Sequence, residues 1–219
     1  FSSLGCNVEK VHLKQLLGDV EKSNCRNLMD YDALYFPGGF SSGDYIRAGA
    51  IFASRVKSGL KSQVDEYINE GRPVLGVCNG FQLLTESGLL PGALLRNKYL
   101  RFICSNIHLN IKNNSKYFFK KIKKKTIELH IAHNDGCYYI DKKHIKKLED
   151  KNQIALEYCS QDGKVSEEFN PNGSLNNIAG IYNEKQNILG MMPHPERMIE
   201  PILSGEDGSL FFKDLFTKN

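Results

Sequence analysis

The sequence lacks several features that would define other classes of protein. No apolar run among its 219 residues approaches the roughly 20 residues that a helix needs to span a bilayer, and no signal-peptide pattern is visible. It contains no Cys-x-x-Cys pair, and its six cysteines are scattered, at Cys6, Cys25, Cys78, Cys104, Cys137 and Cys159. We therefore expect neither a structural zinc site nor a disulfide framework, and a reducing cytoplasm suits the chain.

The chain also lacks a strong charge of either sign, since its formal net charge is +4. Much of that excess comes from two lysine-rich runs at residues 120–125 and 142–147. Such runs could bind nucleic acid, but these contain no aromatic residues and match no nucleic-acid-binding motif. Solvated surfaces are the favoured interpretation. Length and composition, with 41% hydrophobic and 25% charged residues, suit one α/β domain with a sizeable core.

The stretch from Pro73 to Leu84 combines a short buried strand with the start of a helix. Residues 74–77 form an apolar run with β-branched side chains, and the residues after Cys78 have helical composition up to Gly88. Cys78 is thus predicted at a strand-to-helix turn between two glycines, as in a nucleophile elbow. The helix N-terminus would favour its thiolate. A buried strand-end cysteine is the alternative, and this stretch alone does not decide between them.

Two other segments carry groups that could complete such a site. In an extended chain His194 and Glu196 face the same way across Pro195, so an imidazole and a carboxylate could serve a thiol as base and orienting group. The turn at residues 37–39 follows a predicted strand, where backbone N–H groups could stabilise an oxyanion. Each has an ordinary alternative, because most His-x-Glu sequences and Pro-Gly-Gly turns lie in solvated loops.

The order of the predicted elements in the first half indicates an α/β fold. Strands at 33–36 and 74–77 flank an amphipathic helix at 58–70, which favours parallel pairing with a right-handed crossover. Cys78 then lies at the carboxyl end of its strand, where open α/β sheets place their ligands. An earlier helix is predicted at 8–17.

The second half is predicted to consist mainly of short strands and to end with a helix at 207–216. The strands at 178–182 and 187–192 are expected to pair through the turn at 183–186. No repeat and no linker is visible, so residues 1–219 are expected to form one domain. The other strands are predicted at 102–111, 126–131, 137–140 and 153–158.

Together these segments resemble the triad-type, class I glutamine amidotransferases. The resemblance rests on Cys-Asn-Gly-Phe-Gln at 78–82, on the upstream Pro-Gly-Gly-Phe and on the downstream His-Pro-Glu. The blocks at 43–50 and 190–197 more closely resemble the glutaminase subunits of phosphoribosylformylglycinamidine synthases, and the likeness covers nearly the whole chain in order. It implies a flavodoxin-like, doubly wound, mostly parallel sheet with flanking helices and additional antiparallel strands in the C-terminal half. It also implies an apolar first strand upstream of Phe1.

The resemblance implies roles for the residues singled out above. Cys78 would be the nucleophile, His194 the base and Glu196 the carboxylate that orients the imidazole. Backbone N–H groups of Gly39 and Asn79 would stabilise the oxyanion. No metal is expected on this chain.

Two further residues take their expected positions from the same resemblance. Gln82 would help to form the glutamine pocket, although the first turn of a helix equally suits a capping or packing residue. His133, within the shared block Ile-Ala-His, is expected near the site or a partner interface but outside the triad.

The implied reaction is hydrolysis of glutamine to glutamate and ammonia through a cysteine thioester. The ammonia would pass to a separate synthetase subunit, which uses ATP and magnesium to convert formylglycinamide ribonucleotide to formylglycinamidine ribonucleotide in de novo purine biosynthesis. The sequence contains no Gly-x-x-x-x-Gly-Lys-Ser motif, so ATP chemistry is expected on the partner. A small accessory subunit is expected in the same complex, whereas neither nucleic acid nor a membrane is expected as a partner.

Three other functions remain open at this point. Another type of cysteine hydrolase would need no His-x-Glu near the C-terminus, and a silent regulatory subunit would be expected to lack Cys78 or His194. An amidotransferase that serves a different synthetase is disfavoured only by the resemblance of the block at 43–50.

Overall fold

The computed structural model of the chain describes residues 1–39 and 49–216. Most of the family-like block at 43–50 therefore lies outside the described residues. Nine strands are present in the described part: β1 (Leu34–Phe36), β2 (Val74–Val77), β3 (Ala93–Leu95), β4 (Ile103–Ile111), β5 (Thr126–His133), β6 (Cys137–Tyr139), β7 (Ile154–Cys159), β8 (Ile178–Tyr182) and β9 (Ile188–Met191). The longer helices in that part are α1 (Leu13–Leu17), α2 (Ala50–Gly59), α3 (Lys61–Asn69), α4 (Asn79–Glu86), α5 (Lys142–Asp150) and α6 (Asp207–Phe216).

Seven of the described strands form one mixed sheet in the order β1-β2-β9-β8-β7-β4-β5. β1, β2 and β9 run parallel to one another, whereas the pairings from β9 through β5 are antiparallel. β2, β7, β8 and β9 are buried along their whole length and form the centre of the core. β3 and β6, of which β3 was not predicted, form a separate antiparallel pair.

The predicted parallel pairing of the first two strands is confirmed, and so is the pairing of β8 with β9. The sheet was expected to be mostly parallel. Among the described strands, only β1, β2 and β9 are parallel to one another, and the other pairings are antiparallel. The physical reason is the type of connection. Parallel neighbours need a crossover of a dozen or more residues, whereas a short turn such as the one between β8 and β9 returns the chain antiparallel to itself.

The predicted helix at 8–17 is shorter than expected. His12 caps α1, because its Nδ1 accepts a hydrogen bond from the backbone N–H of Lys14 at 3.2 Å, and Gln15 Oε1 accepts one from the backbone N–H of His12 at 2.8 Å. This reciprocal capping box fixes the helix start at Leu13. Val8 stays largely exposed, so the apolar spacing before His12 does not mark a helix face.

The predicted helix at 58–70 is wrong in its first part. α2 ends at Gly59 and α3 begins at Lys61, because Leu60 leaves the helical conformation with φ −124° and ψ 4°. The break turns the Leu60 side chain into a small buried cluster with Leu13 and Val56. The helix therefore breaks where the Leu60 side chain is buried. The spacing of apolar residues in the sequence does not reveal this break.

The helix that follows Cys78 packs unusually close to the sheet. A Cβ atom at Gly80 would overlap the carbonyl oxygen of Phe36, and one at Gly76 would lie 2.5 Å from Leu84 Cδ1. Glycine is thus required at both positions so that α4 can approach β1 and β2. Because α4 begins directly after Cys78, this close packing fixes the position of Cys78.

Replacement of Gly80 by alanine is expected to push α4 away from β1. We expect Gly80→Ala to lower the free energy of unfolding by about 1–3 kcal/mol, the usual cost of overpacking. Gly59→Ala is the matched control, because its new methyl group would meet only the end of the flexible Leu17 side chain. Chemical denaturation of both variants checks this, and equal stability of the two would contradict the packing argument.

Candidate active site

Three adjacent parallel strands bring the predicted site segments to one edge of the sheet. The carboxyl ends of parallel strands meet at the same edge, and here the strand order is β1-β2-β9. The turn at 37–39 follows β1, Cys78 follows β2, and His194 lies three residues after the end of β9. The structure therefore brings together residues that are more than 100 positions apart in the chain.

Cys78 has a backbone conformation that non-glycine residues rarely adopt, with φ 51° and ψ −105°. Its N–H donates to the carbonyl of Met191 at 2.8 Å, and its own carbonyl accepts from Gln82 N–H at 3.1 Å. Gly76 and Gly80 do not have positive φ, so the two glycines that flank Cys78 do not themselves make the sharp turn of the predicted elbow. The sharp turn lies at Cys78 itself, while the glycines provide space for close packing.

His194 is almost fully buried and is held at both its backbone and its ring. Its N–H donates to the carbonyl of His130 at 2.7 Å, and its ring Nδ1 lies 2.5 Å from Glu196 Oε1. Since a carboxylate only accepts hydrogen bonds, Nδ1 carries the proton and Nε2 is left with a lone pair. Pro195–Arg197 forms a 3₁₀ turn, so the two side chains meet as predicted but not through an extended chain.

Gly38 shows that Cys78 and His194 are close neighbours. A Cβ atom at Gly38 would lie 2.6 Å from His194 Cε1 and 3.4 Å from Cys78 Cβ. The end of β1 therefore passes directly beside both side chains, and only glycine leaves space for the imidazole.

The predicted oxyanion donors lie on the two segments next to the sulfur. Gly39 has φ +125°, a conformation that favours glycine. Asn79 is the first residue of α4, and N–H groups in a first helical turn point out of the helix end. The position of both residues suits the predicted role, which stays a prediction.

Gln82 is buried and joins α4 to the turn after β5. Its Nε2 donates to the carbonyl of Asp135 at 2.6 Å, and its Oε1 accepts from Asn79 Nδ2 at 2.9 Å. These contacts position the turn at 134–136. They agree with the alternative prediction that Gln82 is a packing residue. A role in the glutamine pocket stays a prediction.

Asn97 is a residue that the sequence did not single out, and it fixes His133. Its Oδ1 lies 3.1 Å from His133 Nδ1 and accepts from Gly136 N–H at 3.2 Å, while its Nδ2 donates to the carbonyl of His133 at 2.9 Å. Burial, with His194 nearby, lowers the pKa of His133 to about 4. His133 is therefore neutral at neutral pH and a weak proton acceptor.

Tyr35 is a second residue that was missed. Burial, together with the charges of Glu196 and Cys78, raises the pKa of its hydroxyl well above its ordinary value. The Phe1 ring packs edge-on against it, with ring centres 5.0 Å apart. Its position on β1, two residues before the Pro-Gly-Gly turn, is the signal that could have identified it.

Comparison with known proteins identifies the family. Residues 1–205 match the model of the CobB/CobQ-like glutamine amidotransferase domain. Phosphoribosylformylglycinamidine synthase subunit PurQ of Pelagibacter ubique is 55% identical over 184 residues, which cover 84% of this chain and 80% of that protein. The chain belongs to the glutamine amidotransferase family. A chain in the structure of PurLQS from Thermotoga maritima is 36% identical to this amidotransferase, with a TM-score of 0.72 over 87% of this chain and 81% of that one.

These matches confirm the predicted subfamily, the glutaminase subunits of phosphoribosylformylglycinamidine synthases, and the predicted class I fold. The glutaminase domain of Trypanosoma brucei CTPS with bound acivicin shares the fold, with a TM-score of 0.57 and 16% identity over 99% of this chain and 84% of that one. Within residues 1–39 and 49–216 of the amidotransferase, no three His, Cys, Asp or Glu side chains group so that they could hold a metal. No helix in that part is long and apolar enough to cross a membrane.

Replacement of the two buried histidines separates their roles. His194→Ala is expected to lower kcat for glutamine hydrolysis by about 10²–10⁴, the usual contribution of a general base, with the fold nearly intact. His133→Ala removes a neutral ring that contacts Asn97 and should cost less activity. Steady-state kinetics and thermal melting of both variants check this, and a larger kcat loss for His133→Ala would show that the base is misassigned.

Proposed function

We propose that this amidotransferase hydrolyses glutamine to glutamate and ammonia through a thioester on Cys78. One observation carries the proposal: Gly38 lies against both Cys78 and His194, and the His194 ring is in turn hydrogen-bonded to Glu196. A thiol beside an imidazole that is hydrogen-bonded to an orienting carboxylate is the set that nucleophilic catalysis requires. Membership of the glutamine amidotransferase family supports an amide as the substrate.

In the first half-reaction His194 Nε2 takes the proton of the Cys78 thiol, and the Cys78 thiolate attacks the side-chain amide carbon of glutamine. The N-terminus of α4, which begins at Asn79, favours negative charge on the sulfur. Backbone N–H groups of Gly39 and Asn79 stabilise the oxyanion that forms, and a donor of this kind is worth about 10²–10³ in rate. His194 then gives its Nε2 proton to the departing ammonia.

In the second half-reaction water replaces ammonia. His194 Nε2 takes a proton from the water, the hydroxyl attacks the thioester carbon, and glutamate leaves as the Cys78 thiolate is restored. Glu196 keeps the imidazole in one tautomer and stabilises the imidazolium in both steps. Gln82 holds the turn at 134–136 and shapes the wall of the glutamine pocket.

We extend the proposal to the fate of the ammonia. The Pelagibacter ubique relative is a subunit of phosphoribosylformylglycinamidine synthase, which supports transfer to a separate synthetase subunit that converts formylglycinamide ribonucleotide to formylglycinamidine ribonucleotide. ATP and magnesium would bind to that subunit, and a small accessory subunit would complete the cytoplasmic complex. Residues 1–219 would act in it as one glutaminase domain.

The experiment that tests this proposal separates ammonia production from ammonia use. Cys78→Ser changes one atom, so packing should survive, but the thiolate needed for the thioester is lost. Mixed with the synthetase subunit, this variant should fail to support amidine formation from glutamine. It should still support amidine formation from an added ammonium salt and ATP.

The unchanged protein is the control and should support the synthetase with either nitrogen source. A general cysteine hydrolase predicts no effect on the synthetase in any arm. A silent regulatory subunit predicts that Cys78→Ser behaves like the unchanged protein with glutamine. ATP turnover by the isolated chain in the presence of formylglycinamide ribonucleotide would refute the division of labour.

A further inference from the structure

A second cysteine, Cys104, has its own imidazole and amide partners on β4 and β5. Cys104 and Asn106 lie on β4, and His130 lies on β5 directly opposite Asn106. Cys104 Sγ is 3.4 Å from His130 Nε2, and His130 Nδ1 is 2.9 Å from Asn106 Oδ1. The register of one strand pair thus brings a thiol, an imidazole and an amide into contact.

The side-chain amide of Asn106 determines which atom donates in each of these hydrogen bonds. Asn106 Oδ1 can only accept, so His130 Nδ1 must carry the proton and donate it. His130 Nε2 then has a lone pair, and it faces the sulfur of Cys104, whose S–H can donate to it. A nucleophile next to a base that is itself oriented by a third group is the arrangement that activates thiols, and Cys-His-Asn is one of its known forms.

The surroundings of Cys104 differ from those of the other cysteines. Cys104 is exposed, whereas Cys78 and Cys159 are buried. Cys25 is half-buried and donates to the carbonyls of Val20 and Glu21, so these partners are carbonyl oxygens and not an imidazole. Among the cysteines, Cys104 therefore combines access to solvent with a base that can take the thiol proton.

The groups around His130 favour the neutral form of its imidazole. Burial, the positive charge of Arg197 and nearby His194 lower its pKa. On its β4 side it contacts Cys104 and Asn106. The neutral form, whose Nε2 lone pair faces the sulfur of Cys104, is therefore favoured.

We propose that Cys104 is a second reactive thiol that forms mixed disulfides with small disulfides such as oxidised glutathione. His130 Nε2 takes the thiol proton, and the Cys104 thiolate attacks one sulfur of the disulfide. The new S–S bond forms as the old one breaks, so Cys104 is oxidised and the leaving glutathione thiolate is reduced. That thiolate takes the proton back from His130. The proposal does not rest on the glutaminase function.

The test uses the full chain with Cys78→Ser, so that the catalytic thiol does not compete. Oxidised glutathione is added at about pH 7, and peptide mapping by mass spectrometry follows the rate of mixed-disulfide formation at each cysteine. Cys104 should react first, and Cys25 should react at least about tenfold more slowly. If Cys104 reacted no faster than Cys25, the proposal would be overturned.

A second variant distinguishes base assistance from simple exposure. His130→Gln should slow the reaction of Cys104 at least about tenfold at about pH 7. At about pH 10 hydroxide can take the place of the imidazole as the base, so the rate should equal that of the parent. His144→Gln, an exposed histidine on α5, is the control and should change neither rate. No effect of His130→Gln at about pH 7, or an equal loss at both pH values, would overturn the proposal.

Discussion

The strained backbone of Cys78 is the constraint on which the rest of the site depends. A conformation of this kind costs roughly 1–3 kcal/mol and persists only where its surroundings fix it. Here Met191 on β9 holds the N–H of Cys78 and Gln82 on α4 holds its carbonyl, while Gly80 lets α4 press against the end of β1. The close packing of α4 against β1, β2 and β9 therefore holds the sulfur of Cys78 at the N-terminus of α4.

The polar part of the site depends on the same packing. Asn97 and Gln82 bind the turn after β5 from two sides, and this turn places the neutral His133 close to His194. The His194 backbone is in turn bound to β5 through the carbonyl of His130. The proposed base is therefore positioned by strands from the antiparallel half of the sheet, whereas the proposed nucleophile belongs to the parallel half.

Much of this arrangement could be predicted from local pattern. The bounds of β2, β8 and α6 were predicted to the residue, because short β-branched runs and an amphipathic stretch with clear ends identify them. The break at Leu60 and the pairing of β3 with β6 could not, since tertiary burial and strand register decide them. The contact of Cys104 with His130 depends on register in the same way. His194 and Glu196 were found because they are two residues apart, whereas Asn97 acts 36 positions away from His133.

The most direct test of the account is covalent labelling with a diazo-ketone analogue of glutamine. The analogue should bind as glutamine does and alkylate Cys78, with loss of glutamine hydrolysis and with protection by added glutamine. Peptide mapping by mass spectrometry would locate the label. The account predicts modification of Cys78 alone, because only this cysteine lies at the strand ends beside His194. Inactivation with the label on Cys104 or Cys137 and with Cys78 unmodified would contradict it.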